Sequence, residues 1–149
     1  MQKCVKLLAS FFYLGLLSLM PGTYGSIAGV CIYLLVRQSL FIYLFAIILF
    51  QIIGFLVCGK AEIIFQQKDS KKIVIDEVSA MLICYFLVQI NIVNLLLGFV
   101  LFRIFDIFKP FPINQIQELP GSLGIMLDDL LAAIYTNITL HFFMLIKLI

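Results

Sequence analysis

Five of the eight carboxylates in this 149-residue chain, Asp76, Glu77, Asp106, Asp128 and Asp129, stand at the edges of long apolar runs. An Asp at the centre of a membrane helix costs about 2.5–3.5 kcal/mol, so packing alone does not favour it, and acids in such places are functional candidates by default. Four of the five form adjacent pairs, Asp76-Glu77 and Asp128-Asp129. Paired carboxylates repel unless a cation neutralises them, and a divalent ion that takes hard oxygen ligands supplies that neutralisation. The fifth sits in LFRIFDIFKPFP (101–112), where Arg103, Asp106 and Lys109 follow one another at i, i+3 spacing on one slowly drifting helix face. Pro110 ends that helix and biases Lys109 out of the α region. A cation on either side of an acid makes a charge-neutral structural network. Equally, it makes an acid for a metal, with Arg and Lys for a phosphate.

Three further segments carry the remaining polar chemistry. PGTYGS (21–26) has the glycine spacing that lets the Gly22 and Gly25 amides approach an anion, with the Thr23 and Ser26 hydroxyls beside them at the mouth of a helix. The same residues also read as a plain helix stop at Pro21-Gly22 followed by an N-cap at Thr23 or Ser26. In KDSKKIVIDEV (68–78) the two acids are about 100° apart around a helix axis. First-turn acids also suit the helix dipole, but the preceding Ile73, Val74 and Ile75 argue against a freely solvated first turn, and a plain structural role and a metal-binding one both stay open for this pair. LPGSLGIMLDDLLAAI (119–134) leads through a loop with Pro and Gly into the last apolar helix. Acids, hydroxyls, glycine amides and two cations are together the parts of a metal-assisted phosphate site.

The elements that must position these groups are membrane-like. The chain is 64% hydrophobic and 12% charged, with a mean hydropathy of +1.18, against about half and a quarter in soluble domains. Apolar runs fall at about 7–20, 26–36, 39–58, 73–90, 92–108 and 127–149. They are uniformly apolar rather than alternating, which favours helices over a barrel. Only 39–58 and the last run approach the ~20 residues that span a ~30 Å hydrocarbon core, so the others are short, tilted or interfacial. Lys3, Lys6 and the apolar stretch after them imitate a secretory signal, but no clean cleavage site follows, and 7–20 reads as a retained membrane-associated helix. Lys60, Lys68, Lys71, Lys72, Arg103 and Lys109 mark one side as cytoplasmic, whereas Arg37, Asn91 and Lys147 fall opposite. That threading brings 21–26, 59–77 and 103–129 to the same membrane surface.

Several chemistries are not indicated. Cys4, Cys31, Cys58 and Cys84 lie about 26 residues apart with no CxxC pair, so neither a zinc site nor a disulfide framework follows, and they read as small buried hydrophobes. The lone His141 reads as a packed or interface-facing residue. The net charge of +2 is scattered rather than striped, which gives nucleic acid no footprint.

On the four motifs PGTYGS, IVIDE, FRIFDIFKPFP and GIMLDD, in that order and spacing, the chain resembles the phosphatidylglycerophosphatase A family over nearly its whole length. It departs from the family pattern at Ala80 and Ala133, where Gly is usual, at Ser70, often Pro, and at Pro120-Gly121-Ser122. None of these removes a proposed ligand. The resemblance implies a single all-α, multi-pass membrane domain over 1–149, in the bacterial inner membrane with its motif loops on the cytoplasmic face. It implies a Mg²⁺-dependent phosphatase of phospholipid biosynthesis that converts phosphatidylglycerophosphate to phosphatidylglycerol and inorganic phosphate. Asp76, Glu77, Asp106, Asp128 and Asp129 would be catalytic and hold the metal. Gly22, Thr23, Gly25, Ser26, Arg103 and Lys109 would bind the phosphate, and membrane lipids would surround the helices. A homo-oligomer is compatible with the sequence. Two other classes share these features: a small cation transporter, whose acids would lie near the bilayer midplane, and a catalytically silent assembly subunit.

Overall fold

The computed structural model describes residues 2–17 and 19–146, and every regular element among them is helical. Lys147 and the last residues of the final apolar run lie outside the described residues. The chain runs α1 (Gln2–Ala9), a 3-10 turn (Leu14–Leu16), α2 (Pro21–Val36), α3 (Leu40–Phe65), α4 (Ile75–Cys84), α5 (Ile92–Phe108), α6 (Ile113–Ile116) and α7 (Ser122–Leu145). α3 and α7 are long and apolar enough to cross a bilayer by length and composition. α2 and α5, with 16 and 17 residues, reach only about 24–26 Å at 1.5 Å per residue.

Apolar runs and helices coincide at 92–108 and differ elsewhere for local reasons. The run 7–20 is not one helix. Ser10 closes α1, its Oγ donating to Lys6 O at 2.6 Å and accepting the Tyr13 N–H at 3.2 Å, while Phe11, Phe12 and Tyr13 adopt left-handed backbone. Pro21-Gly22 is no stop either. Pro21 is the first residue of α2, where its missing N–H and fixed φ suit a helix start. α3 continues past its apolar run through Lys60 and Glu62 until Gln66 turns left-handed at φ 54°. α7 starts at Ser122, well ahead of its apolar run, so Asp128 and Asp129 lie inside the helix rather than at its mouth.

The core is built around α4. Eight of its ten residues are buried, and α2, α3 and α7 pack around it, with α5 against α7 and α1 against α3. The approach of α2 depends on Gly25 and Gly29, one turn apart: a Cβ on Gly29 would meet Met81 Cβ at 2.6 Å, and one on Gly25 would meet Val74 Cβ at 2.9 Å. Small residues at this spacing let helix backbones come close. At ten residues α4 is only about 15 Å long, so its C-terminal carbonyls end inside the protein. Side chains satisfy them: Tyr43 OH donates to Leu82 O, and Asn137 Nδ2 donates to Cys84 O at 3.0 Å and Phe86 O at 2.9 Å. Tyr33 and Tyr85 stack beside this end at 4.9 Å.

The outer face of α3 exposes large apolar side chains along its length, including Phe41, Phe45, Ile48, Ile52, Leu56 and Ile63. A patch of that size on a protein surface marks contact with another apolar phase or partner. Cys58 and Cys84 are buried as read from the sequence, but Cys4 and Cys31 are exposed, and all four thiols are free. His141 is half-buried, with Nδ1 2.9 Å from Asn137 O.

Candidate active site

The antiparallel run of α2, α3, α4, α5 and α7 puts the starts of α2, α4 and α7 and the ends of α3 and α5 at one pole, where the conspicuous polar residues meet. Asp76 and Glu77 occupy the first turn of α4, although not a solvated one, since Asp76 is only 6% exposed. Asp128 and Asp129 come from α7, Arg103 and Asp106 from the last turns of α5, and Gly22 and Thr23 from the first turn of α2. With Lys109 they line a single cavity of about 450 Å³.

The two acidic pairs are built alike. Asp76 Oδ1 accepts the Glu77 N–H at 3.0 Å, and Asp128 Oδ1 accepts the Asp129 N–H at 2.8 Å. The first acid of each pair is thereby fixed by the next residue's backbone, while the second is left to face the other pair. Carboxylate oxygens of Asp76, Glu77 and Asp129 lie within 4.8 Å of one another. Glu77 Oε2 and Asp129 Oδ2 are buried without a hydrogen-bond partner. A buried orphan oxygen costs about 1–3 kcal/mol, more when charged, so two aimed into one cluster describe a place for a cation.

The cations are held by the remaining acids. Arg103 Nη1 lies 2.8 Å from Asp106 Oδ2, and Lys109 Nζ lies 3.8 Å from Asp106 Oδ1 and pairs with Asp128. Lys109 is the C-cap of α5 at φ 43°. It leaves the right-handed α region as Pro110 requires, but into left-handed rather than extended backbone. Burial alone would push its ammonium pKa down, but Asp128, Asp129 and Asp106 outweigh burial and hold it above the ordinary lysine value. Gly22 is required by proximity, because a Cβ there would meet Glu77 Oε1 at 2.5 Å and Arg103 Nη1 at 3.1 Å.

Two of the anticipated phosphate-binding residues do not reach the cavity. Ser26 is fully buried and its Oγ donates to Gly22 O at 2.9 Å, and Gly25 packs on Val74. Because Tyr24 N–H opens the α2 ladder on Met20 O, the Gly22 and Thr23 amides have no intrahelical acceptor, whereas the Gly25 amide lies inside the ladder. Conversely, Asp69, Lys71 and Gln117 line the cavity unanticipated. The KDSKK run reads as solvated charge, and only the tertiary fold pairs Asp69 with Gln117, 48 residues away at 2.6 Å.

The donor set fits a hard divalent ion: oxygen ligands only, two of them orphaned, and six carboxylates against three cations lining the same cavity. Fold and site thus define an all-helical protein whose buried carboxylate cluster and flanking cations suit a divalent metal and a phosphate. The chain belongs to the phosphatidylglycerophosphatase A family, whose pattern it matches over residues 7–144. It is 38% identical to the phosphatidylglycerophosphatase A of Haemophilus influenzae over 138 residues, which cover 90% of this chain and 85% of that protein. It is 34% identical to the Escherichia coli protein of the same name, over 91% of this chain and 81% of the relative. A Bacteroides thetaiotaomicron protein provisionally named as a phosphatidylinositol-3-phosphatase is 32% identical over 79% of each chain. No solved structure matches.

Proposed function

We propose that this protein hydrolyses the terminal phosphate of phosphatidylglycerophosphate, releasing phosphatidylglycerol and inorganic phosphate, with Mg²⁺ as cofactor. In this reading it is a multi-pass protein of the bacterial inner membrane, with its site on the cytoplasmic face. Membership of the phosphatidylglycerophosphatase A family supports the reaction. The apolar lengths of α3 and α7 and the exposed apolar face of α3 support the membrane placement, and the basic residues near the site support its orientation. The observation that carries the chemistry is the Asp76, Glu77 and Asp129 cluster, with its two orphan oxygens, in the cavity that also holds Arg103 and Lys109.

Asp76, Glu77 and Asp129 would hold the metal, with Asp106 and Asp128 completing the acidic shell. Bound Mg²⁺ supplies Lewis-acid polarisation of the phosphoryl oxygens. The protein's own groups do the rest. Arg103 and Lys109, already fixed by Asp106 and Asp128, bind the phosphate oxygens and stabilise the charge that builds on them. The Gly22 and Thr23 amides at the start of α2 add donors of the kind that helix N-termini offer anions. A cluster carboxylate orients a water and takes up one of its protons as the water oxygen bonds to phosphorus, the bond from phosphorus to the glycerol oxygen breaks, and the proton is passed on to that oxygen. Attack by a carboxylate itself, giving a phosphorylated Asp, uses the same geometry; acid-quenching a turnover mixture and searching for the acyl phosphate separates the two routes. The acyl chains stay in the bilayer throughout.

The test is phosphate release from phosphatidylglycerophosphate by the purified protein in detergent micelles. Release should stop with a chelator and return with Mg²⁺. Activity that persists in chelator would remove the metal from this scheme, and no release under any metal would overturn the phosphatase reading.

A further inference from the structure

The cavity is larger than its chemistry requires. At about 450 Å³ it falls in the roughly 300–1,000 Å³ range of sites for whole small ligands, and the acidic cluster with Arg103 and Lys109 accounts for one phosphate. Arg103, Lys109 and Lys71 are its three lining cations. Both Arg103 and Lys109 are engaged by carboxylates, whereas Lys71 forms no salt bridge among the described residues.

The segment that carries Lys71 is a fixed wall rather than a loose charged loop. The Asp69 N–H donates to Glu62 Oε1 at 2.7 Å, Gln117 Nε2 donates to Asp69 Oδ2 at 2.6 Å, and the Ile73 N–H closes a turn on Ser70 O at 2.8 Å. Lys68 Nζ ties the same segment to Glu118 O at 3.4 Å. Its neighbour Lys72 instead lies over the Phe65 ring, 5.4 Å from the centroid, and does not line the cavity.

The substrate of the proposed reaction carries two phosphates, the terminal monoester that is cleaved and an internal diester that remains in the product. Bringing the diester into a cavity where carboxylates outnumber cations requires a cation that those carboxylates have not already engaged. We infer that Lys71, on the wall anchored by the Asp69–Gln117 pair, binds the diester phosphate of the substrate and so selects lipids with a second phosphate over simple lipid phosphomonoesters. This rests on the phosphatidylglycerophosphatase reading and names the recognition element it lacks.

Steady-state kinetics in mixed micelles test it with Lys71→Ala, Lys71→Arg and, as a control for surface charge, Lys72→Ala. Wild-type turnover of phosphatidylglycerophosphate checks the underlying reading independently of the variants. Lys71→Ala should raise KM about tenfold or more, the scale of one lost charged hydrogen bond, while kcat stays within about twofold. Inhibition by the product phosphatidylglycerol, which keeps the diester, should weaken by a similar factor, and inhibition by inorganic phosphate should not change. Lys71→Arg should restore most of the KM, and Lys72→Ala should match the wild type. Equal KM changes in Lys71→Ala and Lys72→Ala, a loss confined to kcat, or a parallel weakening of phosphate inhibition would each overturn the inference.

Discussion

Asp76 and Asp128 each commit one oxygen to the N–H of the following residue, and that small habit decides how the site works. It orients the first acid of each pair and leaves Glu77 and Asp129 with buried oxygens that nothing in the protein satisfies. Such a cluster is a standing repulsion until a cation arrives. Asp129→Asn should therefore bring turnover to background and weaken Mg²⁺ binding by titration calorimetry. At the same time it should raise the melting temperature of the metal-free protein, because one of the crowded charges is gone. A fall in metal-free stability would show that Asp129 is structural instead. Lys109→Ala should leave metal binding in place and lower kcat about 10²-fold, the effect of losing one preorganised donor; near-normal kcat would remove Lys109 from the phosphate's surroundings. Asp76, Glu77, Asp106, Asp128 and Asp129 are legible in the sequence as candidates, because acids beside apolar runs call for an explanation, whereas Asp69 and Lys71 are not, since their run reads as solvated charge. The reach of Ser26 is not legible, since a hydroxyl in the first turns of a helix serves a ligand or its own backbone with the same one-dimensional pattern, and here it bonds Gly22 O.

At the scale of elements, α5 is readable to the residue because an N-capping Asn91, whose side chain accepts the Asn94 N–H, and a C-terminal Pro110 bracket its apolar run. α4 is not, because the apolar run 73–90 continues beyond the helix. What stops α4 at Cys84 is tertiary: Tyr43 and Asn137, from α3 and α7, take its last carbonyls. Asn137→Leu should accordingly leave Cys84 O and Phe86 O unpaired inside the protein, at a cost of about 1–3 kcal/mol. A denaturation series in detergent measures this. Because Asn137 lies at the pole away from the acidic cluster, kcat per folded molecule should be retained. An unchanged unfolding midpoint would mean that these carbonyls find other donors. The start of α2 shows the converse ambiguity: Pro-Gly marks a stop as readily as a start, and the choice was made by the packing of Gly25 and Gly29 on Val74 and Met81.

For the whole molecule, the poles are distinct. The starts of α2, α4 and α7, the ends of α3 and α5 and the segments 66–74 and 109–121 carry the site residues together with Lys60, Lys68, Lys71, Lys72, Arg103 and Lys109, and the turns at 37–39 and 85–91 close the other end. In sealed cells, on a Cys-free background, Gln38→Cys and Asn91→Cys should react with an impermeant thiol reagent from outside. Asn114→Cys should stay protected until the membrane is opened. All three positions are exposed on the protein surface, so a lack of labelling reflects the bilayer rather than burial. External labelling of Asn114→Cys would invert the proposed orientation and separate the site from a substrate pool on the cytoplasmic leaflet.

The shortness of α4 has a consequence for how the chain is made. About 15 Å of helix, opened by two acids, has neither the length nor the apolarity to enter a bilayer unaided. The side chain that caps its far end, Asn137, and the acids that face it, Asp128 and Asp129, are synthesised some fifty residues later. In the proposed membrane placement, the segment from Ile73 to Asn91 would have no stable place until α7 emerges from the ribosome, and the nascent chain would hold Asp76 and Glu77 outside the bilayer. α7 thus licenses the burial of α4, and a chain released before α7 would carry every earlier motif and still be unable to assemble the site.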